Sequence, residues 1–347
     1  MPFVTRTSSP KHVHSGASNH DIELEDLEKA SGEITDPALL ADITALQDLY
    51  QSAITGMSAA VTRAQQLLAQ QNRTGTLDLR LFQEVFATQA VEALRQSLRD
   101  VSDGTAEQVL LEARRAIQRL PAGIYGKMSF DAKDPRAIAW AEERAGTMIA
   151  QIQAEALTAV RGIISRVLSS GGGVPRAAKE IQRVVGLHDR WQRAVDNYYN
   201  KEVGRLSRTM SVDSAIQKAE EASLKYRDQL IRARSLNIAR TEILASQNIG
   251  TLLGWYQASD QGFLDLTDAR KEWVVGPDGW KGVEVCAICM DLAGQQVPVT
   301  AVFSNGEICP PAHPSCRCSM SLLTLVSFEE QQASRIADEA LLNDAGF

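Results

Sequence analysis

The chain has 347 residues, of which 44% are hydrophobic and 23% charged, and its formal net charge is -7. A chain of this length buries a sizeable core and divides into two or three domains. No run reaches the ~18 apolar residues of a membrane-spanning helix, and the opening Met1-Pro-Phe-Val-Thr-Arg has no apolar stretch to direct export. Neither a membrane span nor a disulfide framework is therefore expected.

The net charge conceals an asymmetry. Residues 161–240 hold 16 Lys and Arg against 8 Asp and Glu, a local +8 in an acidic chain. Arg183, Arg190, Arg193, Lys201 and Arg205 are the candidate contacts of this basic surface with the backbone of DNA.

Residues 1–36 are polar, with Ser, His, Gly and acids, and read as a poorly ordered leader. Asp36-Pro37 is a helix start, with a capping carboxylate followed by proline at the first helical position. Helical spacing then runs through Ile43, Leu46, Tyr50, Ile54, Met57 and Val61. A second helix follows from Leu81 to Leu98, ending near Asp103-Gly104, and a third runs from Val109 to Leu120; together these form an N-terminal helical region over 37–130.

A central helical region spans 131–250. Asp134-Pro135 repeats the start signal, and Ala141, Ala145, Met148, Ile152, Ala156, Ala159, Ile163 and Val167 make one apolar face. The Gly171-Gly-Gly173 joint lacks the Lys-Ser/Thr of a phosphate loop. A helix over Arg176–Val185 ends at Gly186, suited to a left-handed cap, and another carries Trp191, Val195 and Tyr198. The longest helix runs from about Ser214 to Gly250. On its wheel Arg240 falls with Ala233, Leu236, Ile243 and Leu244 on the apolar face, while Glu242 points nearly opposite and is expected to be exposed. A guanidinium so placed needs a partner, and Glu272 and Asp291 are the candidate carboxylates of a structural clamp.

After Gly262 the pattern turns to short extended pieces. Glu272–Val275 and Val283–Val285 flank Gly276-Pro-Asp-Gly279 as a hairpin, with further strands at 295–299 and 319–325 and a closing helix from Phe328 to Leu342. All five cysteines lie here, beside one histidine: Cys286-Ala-Ile-Cys289, Cys309, and His313-Pro-Ser-Cys316-Arg-Cys318. A C-x2-C turn is half of a zinc site, and His313 with Cys316 or Cys318 supplies the other half. Cys309 reads as a small buried apolar residue. More donors than a tetrahedral ion needs, and no H-E-x-x-H or deaminase motif, point to a closed structural zinc. The expected fold is mainly α: helical N-terminal and central regions, a small zinc-stapled α+β domain over 251–325, and a C-terminal helix over 326–347.

Ile238-Ala-Arg-Thr-Glu242, Asn248, the Trp273 strand, Val285-Cys-x-x-Cys289, Leu292-x-Gly294, Phe303 and Pro310-Pro-Ala-His-Pro-Ser-Cys-Arg-Cys318 together resemble the phage Mu F-like head morphogenesis, or minor capsid, proteins. The resemblance covers about residues 140–325, and its last block is the most specific part. It implies a low-copy, non-enzymatic component inside a tailed-phage head, present in the host cytoplasm during assembly. The implied partners are the portal protein and the major capsid or scaffold protein, with nonspecific contact to phage DNA and none to a membrane. The competing readings are a zinc-stapled enzyme, either nuclease or ADP-ribosyltransferase-like, and a nonspecific DNA-binding protein. Neither has a matching catalytic or helix-turn-helix pattern in the sequence.

Overall fold

The computed structural model describes residues 37–71, 79–120, 127–170, 174–267, 269–275, 285–314 and 316–323. Helices hold 72% of the residues described, so the chain is mainly α with one small antiparallel sheet. In chain order the elements are α1 (Pro37–Gln71), α2 (Leu79–Gln118), α3 (Pro135–Ser169), α4 (Val174–Val184), α5 (Asp189–Leu206), α6 (Val212–Asp260), β1 (Arg270–Val274), α7 (Ala287–Leu292), β2 (Gln296–Pro298) and β3 (Ser319–Leu323). The leader, the triple-glycine joint, the Gly276–Gly279 turn and the closing helix lie outside the described residues.

The chain forms two compact units, one from Met1–Thr105 with Ala139–Arg240, the other from Ala106–Ile138 with Thr241–Phe347. The sequence divides into contiguous regions, whereas these units interleave. Both α2 and α6 contribute residues to each unit, and hydrophobic periodicity carries no mark where one helix changes cores.

In the first unit the apolar face of α1 is buried from Ile43 through Leu46, Tyr50, Ile54, Met57 and Val61. The α3 stripe is buried at six of its eight positions, Met148 and Ala159 being half-buried. Gly104 lies inside α2 and does not end it. A Cβ there would stand 3.0 Å from Leu49 Cδ1, so this glycine serves close helix packing where the sequence indicates a stop. Gly186 does end its helix: it has φ 89°, and Leu187 N–H donates to Val184 O at 3.0 Å.

Two buried arginines of α6 cap the end of α4. Arg234 donates to Gly186 O at 2.5 Å and to Glu155 Oε2 at 2.6 Å, while Arg227 reaches Val185 O at 3.4 Å and the hydroxyl of Ser58. They satisfy helix-terminal carbonyls that burial would otherwise leave without water.

In the second unit, α6 runs ten residues past its expected end at Gly250. Gly250 and Gly254 lie against α2: a Cβ at Gly250 would meet Val109 O at 2.6 Å, and one at Gly254 would meet Ala113 O at 3.1 Å. The helix continues because its two glycines fit a neighbouring backbone that no larger residue could approach. This part of α6 is buried on every face, at Thr241, Glu242, Ile243, Ala245, Ser246, Asn248, Ile249, Leu252 and Leu253. Glu242 is 1% exposed, which corrects the exposed position the helical wheel gives it. A wheel assumes one wet face, and a helix covered on all sides has none.

Polar side chains of the same helix secure the start of α3. Asp134 caps it through Arg136 N–H at 2.9 Å, as the Asp-Pro signal predicts, and accepts from Gln257 Nε2 at 3.1 Å. Arg136 joins Asp134 and Asp260 at 2.7 and 2.9 Å. The sheet has the order β2-β1-β3, with β1 antiparallel to both neighbours. Arg270 pairs with Pro298 on one side and Leu323 on the other, while Val283 and Glu284 of the expected hairpin strand lie outside the described residues.

Arg234→Ala is expected to destabilise the protein by about 2–3 kcal/mol in chemical denaturation, the lower part of the range for a broken buried pair because Glu155 still reaches solvent. Arg234→Lys is expected to recover little of this, since one ammonium cannot span both acceptors. A loss below about 0.5 kcal/mol, the scale of an ordinary surface substitution, would show that the cap is not structural.

Candidate metal centre

The site begins where β1 meets two tight turns. The first is the C-x2-C segment: Cys286 precedes the short helix α7, and Met290 N–H donates back to Cys286 O at 3.0 Å. This one turn brings Cys286 and Cys289 to the same side. Gly294, with φ 70°, lets the chain leave α7 and donate its N–H to Trp273 O at 2.9 Å, which seats the turn on β1. The second turn is His313-Pro-Ser-Cys316, closed by Cys316 N–H to His313 O at 3.2 Å.

The two turns face each other. Cys286 Sγ lies 3.0 Å and Cys289 Sγ 3.1 Å from His313 Nε2, and the Cys289 and Cys316 sulfurs are 3.7 Å apart. Thiolates bound at ~2.3 Å to one tetrahedral ion stand ~3.8 Å apart, so the sulfur pair already has the spacing of a coordination edge. His313 Nδ1 is 2.8 Å from Pro314 O. A carbonyl only accepts, so Nδ1 carries the proton and Nε2 presents its lone pair to the sulfurs, the tautomer a metal ligand needs.

Donor atoms fall into two sets that share a residue, Cys286 with Cys289 and His313, and Cys289 with Cys316 and Cys318, each within 4.8 Å. All of the sequence-predicted ligands are thereby brought together, and the thiols are free of disulfides. Cys309 is buried at 7% exposure and belongs to neither set. Hydrogen bonds from Cys289 and Cys318 hold the Cys316 thiol well below the usual cysteine range, while hydrogen bonding to Cys316 pushes Cys289 up. Four sulfurs and one imidazole nitrogen are a soft, thiophilic donor set that suits zinc and leaves calcium or magnesium poorly served.

The surroundings fix the donors in place. Trp273, Cys289, Leu292, Phe303, Cys316 and Cys318 form one buried cluster, with Trp273 edge-on to Phe303 at 5.0 Å. From α6, Asn248 Nδ2 donates to Cys318 O at 3.3 Å and so holds the chain as it enters β3. Sequence reading places Asn248 in the resemblance without a role. Its position four residues beyond Leu244, whose carbonyl it also meets at 3.0 Å, is the only local signal.

Lys271 is the residue the sequence reading passes over. It is fully buried, donates to Val299 O at 2.8 Å and lies 5.4 Å from the centre of the Phe303 ring. The signal was present, because β1 alternates and Lys271 shares the inward parity of Trp273. Burial pulls its amine down to about 8, against a smaller opposing effect from Cys309.

Arg240 is half-buried, Glu272 accepts from Gln296 Nε2 at 3.2 Å, and Asp291 is exposed. Arg183 is 8% exposed, stacked 4.1 Å above Tyr199, and therefore withdrawn from any DNA backbone, a correction to its reading as a contact. The local excess of arginine had counted it as surface, but its hydrocarbon stem and planar head fill a core position over an aromatic ring. Arg190, Arg193, Lys201 and Arg205 are exposed, although Arg193 pairs with Asp189 at 2.9 Å and Arg205 with Glu202 at 2.6 Å.

The depressed Lys271 amine gives a pH dependence of stability. The unfolded chain binds this proton more tightly than the folded one, so stability rises as pH climbs from about 8 towards the ordinary lysine value of 10.5. The gain is on the order of 2–3 kcal/mol across that window, read as the difference between wild type and Lys271→Met in denaturation at pH 7.5 and 10. Parallel pH profiles for the two proteins would contradict a buried, weakened amine.

No protein-family model, curated protein or solved structure matches the chain, so the reading of this site rests on its own donors and their geometry.

Proposed function

We propose that the protein is a minor head protein of a tailed phage or prophage, a low-copy structural component acting through protein contacts at the portal and capsid interior. The observation that carries this reading is the convergence of the Cys286–Cys289 and His313–Cys318 segments. The second of these segments lies in the most specific block of the resemblance to the Mu F-like head morphogenesis proteins, and the two together supply overlapping donor sets that share Cys289 on a mainly helical chain.

The cluster binds one zinc ion through Cys286, Cys289, His313 and one of Cys316 and Cys318. The ion's part is mechanical. The buried cluster around Trp273 is small, and three of its six fully buried members are cysteines, so metal–sulfur bonds replace the apolar packing that so short a sheet cannot supply. Five donors around a four-coordinate ion leave no open position for substrate or activated water, which supports a non-enzymatic role. The partners are the portal and the major capsid or scaffold protein. Exposed Arg190, Arg193, Lys201 and Arg205 offer weak, nonspecific contacts for packaged DNA.

Elemental analysis of reduced, purified protein is expected to give about one zinc per chain; less than about 0.2 per chain would reject a structural site of this affinity class. The biological half of the reading is tested by removing the gene from its phage and by mass spectrometry of wild-type particles. The expected result is defective or non-infectious heads together with a few copies of the protein in purified virions. Fully infectious particles without the gene, and virions that lack the protein, would overturn it.

A further inference from the structure

Residues of α3, α4, α5 and α6, all within the first unit, line a cavity of about 650 Å³, inside the ~300–1,000 Å³ range of small-molecule sites. Its wall carries more cations than carboxylates: Arg166, Arg176, Lys179 and Arg183 against Glu180, Asp196 and Glu220. Arg176 reaches Glu180 and Lys179 reaches Glu220, both at 3.1 Å. The other two pairs are loose, with Arg166 at 3.7 Å from Glu180 and Arg183 at 3.8 Å from Asp196. Arg183 stands apart from the rest. It is 8% exposed, its guanidinium lies 4.1 Å over the Tyr199 ring, and its Nε–H, shut off from solvent, has no hydrogen-bond partner. Nε and Nη2 make one edge of a guanidinium, and elsewhere in this chain that edge grips a carboxylate. Arg136 holds Asp134 this way at 2.7–3.2 Å, and Arg205 holds Glu202 at 2.6–3.2 Å. In Arg183 the same edge makes no hydrogen bond among the described residues. Burial raises the Asp196 carboxyl against the opposing pull of Arg183 and Arg166, as for a carboxylate that its cations do not fully reach. A buried donor edge without an acceptor is costly, and an anion is the group that satisfies it.

We infer that this cavity binds a small phosphorylated molecule, its phosphate taken by Arg183 together with Arg176 and Lys179. A planar donor edge fits two oxygens of one phosphate. A phosphate dianion also prevails where a carboxylate would not: three carboxylates already stand in the wall, and the exposed ion pairs they make with Arg176 and Lys179 hold weakly. Inorganic phosphate alone would leave most of the volume unfilled, so the ligand carries a body or further phosphates. Arg183 is recessed, and a terminal phosphate on a small molecule reaches it where the backbone of a DNA duplex does not.

The test is calorimetric titration of the full-length chain with inorganic pyrophosphate and, separately, with ATP, which tells an inorganic polyphosphate from a nucleotide. At least one of the two is expected to bind saturably, at one per chain. Arg183→Met is expected to weaken that binding about tenfold or more, and Arg183→Lys to recover little, because an ammonium does not offer the paired edge. Glu180→Gln releases Arg166 and Arg176 and is expected to tighten binding about threefold or more. Asp189→Asn, outside the cavity wall, is expected to leave it unchanged. The gain at Glu180 is a readout that a merely structural arginine would not move, and it decides the question if the Arg183 variants fail to fold. The inference is overturned if neither probe binds, including the case in which only a DNA duplex does. It is equally overturned if folded Arg183→Met binds as wild type does, if Glu180→Gln brings no gain, or if Asp189→Asn brings the same gain.

Discussion

The second unit depends on gathering a set of soft donors in and beside its small buried cluster. Four thiols and an imidazole gather in two overlapping sets that share Cys289, and three of the cysteines make up half of the buried cluster around Trp273. Without a cation this is a poor core, since sulfur atoms at hydrogen-bond distance share protons and gain little from dispersion alone. With a cation the same atoms become the strongest cross-link in the region, joining a turn that follows β1 to a turn that precedes β3. The three short strands then need only to hold the turns in register. The pairing of β1 with both neighbours does this over the five residues from Arg270 to Val274.

Around that centre the protein places polar side chains inside, and several of them hold backbone carbonyls. Asn248 holds the carbonyl of Cys318, Lys271 holds that of Val299, and Gln257 bridges Asp131 and Asp134 at the start of α3. In the first unit, Arg227 and Arg234 do the same for the end of α4. Such contacts are directional where hydrocarbon packing is not, so they specify one arrangement of long helices whose apolar stripes alone would tolerate several.

Most of the helices were legible because their signals are local. Asp134-Pro135 opens α3 and Gly186 closes the α4 segment as capping chemistry demands. Where the reading failed, the missing information was a neighbour. Gly104, Gly250 and Gly254 look like breaks in one dimension, but they are the points where one backbone approaches another helix's side chains or carbonyls. A helical wheel puts Glu242 in solvent because it cannot show that the helix is covered on every side, and composition counts Arg183 as surface charge because it does not see Tyr199. The donor cluster is the most legible feature: its residue types and spacings stand out in the sequence, and the structure brings those donors together.

The central claim is that the donor cluster folds the sheet region by binding an ion, while the helical unit over 139–240 stands on its own packing. Hydrogen exchange of the purified full-length protein, measured with and without a zinc chelator, tests this most directly. The account predicts that chelation strips protection from the amides of residues 270–323, β1 and both donor turns included, and leaves those of α3, α4 and α5 unchanged. Undiminished protection across 270–323 after verified metal removal would contradict it, as would a uniform loss throughout the chain.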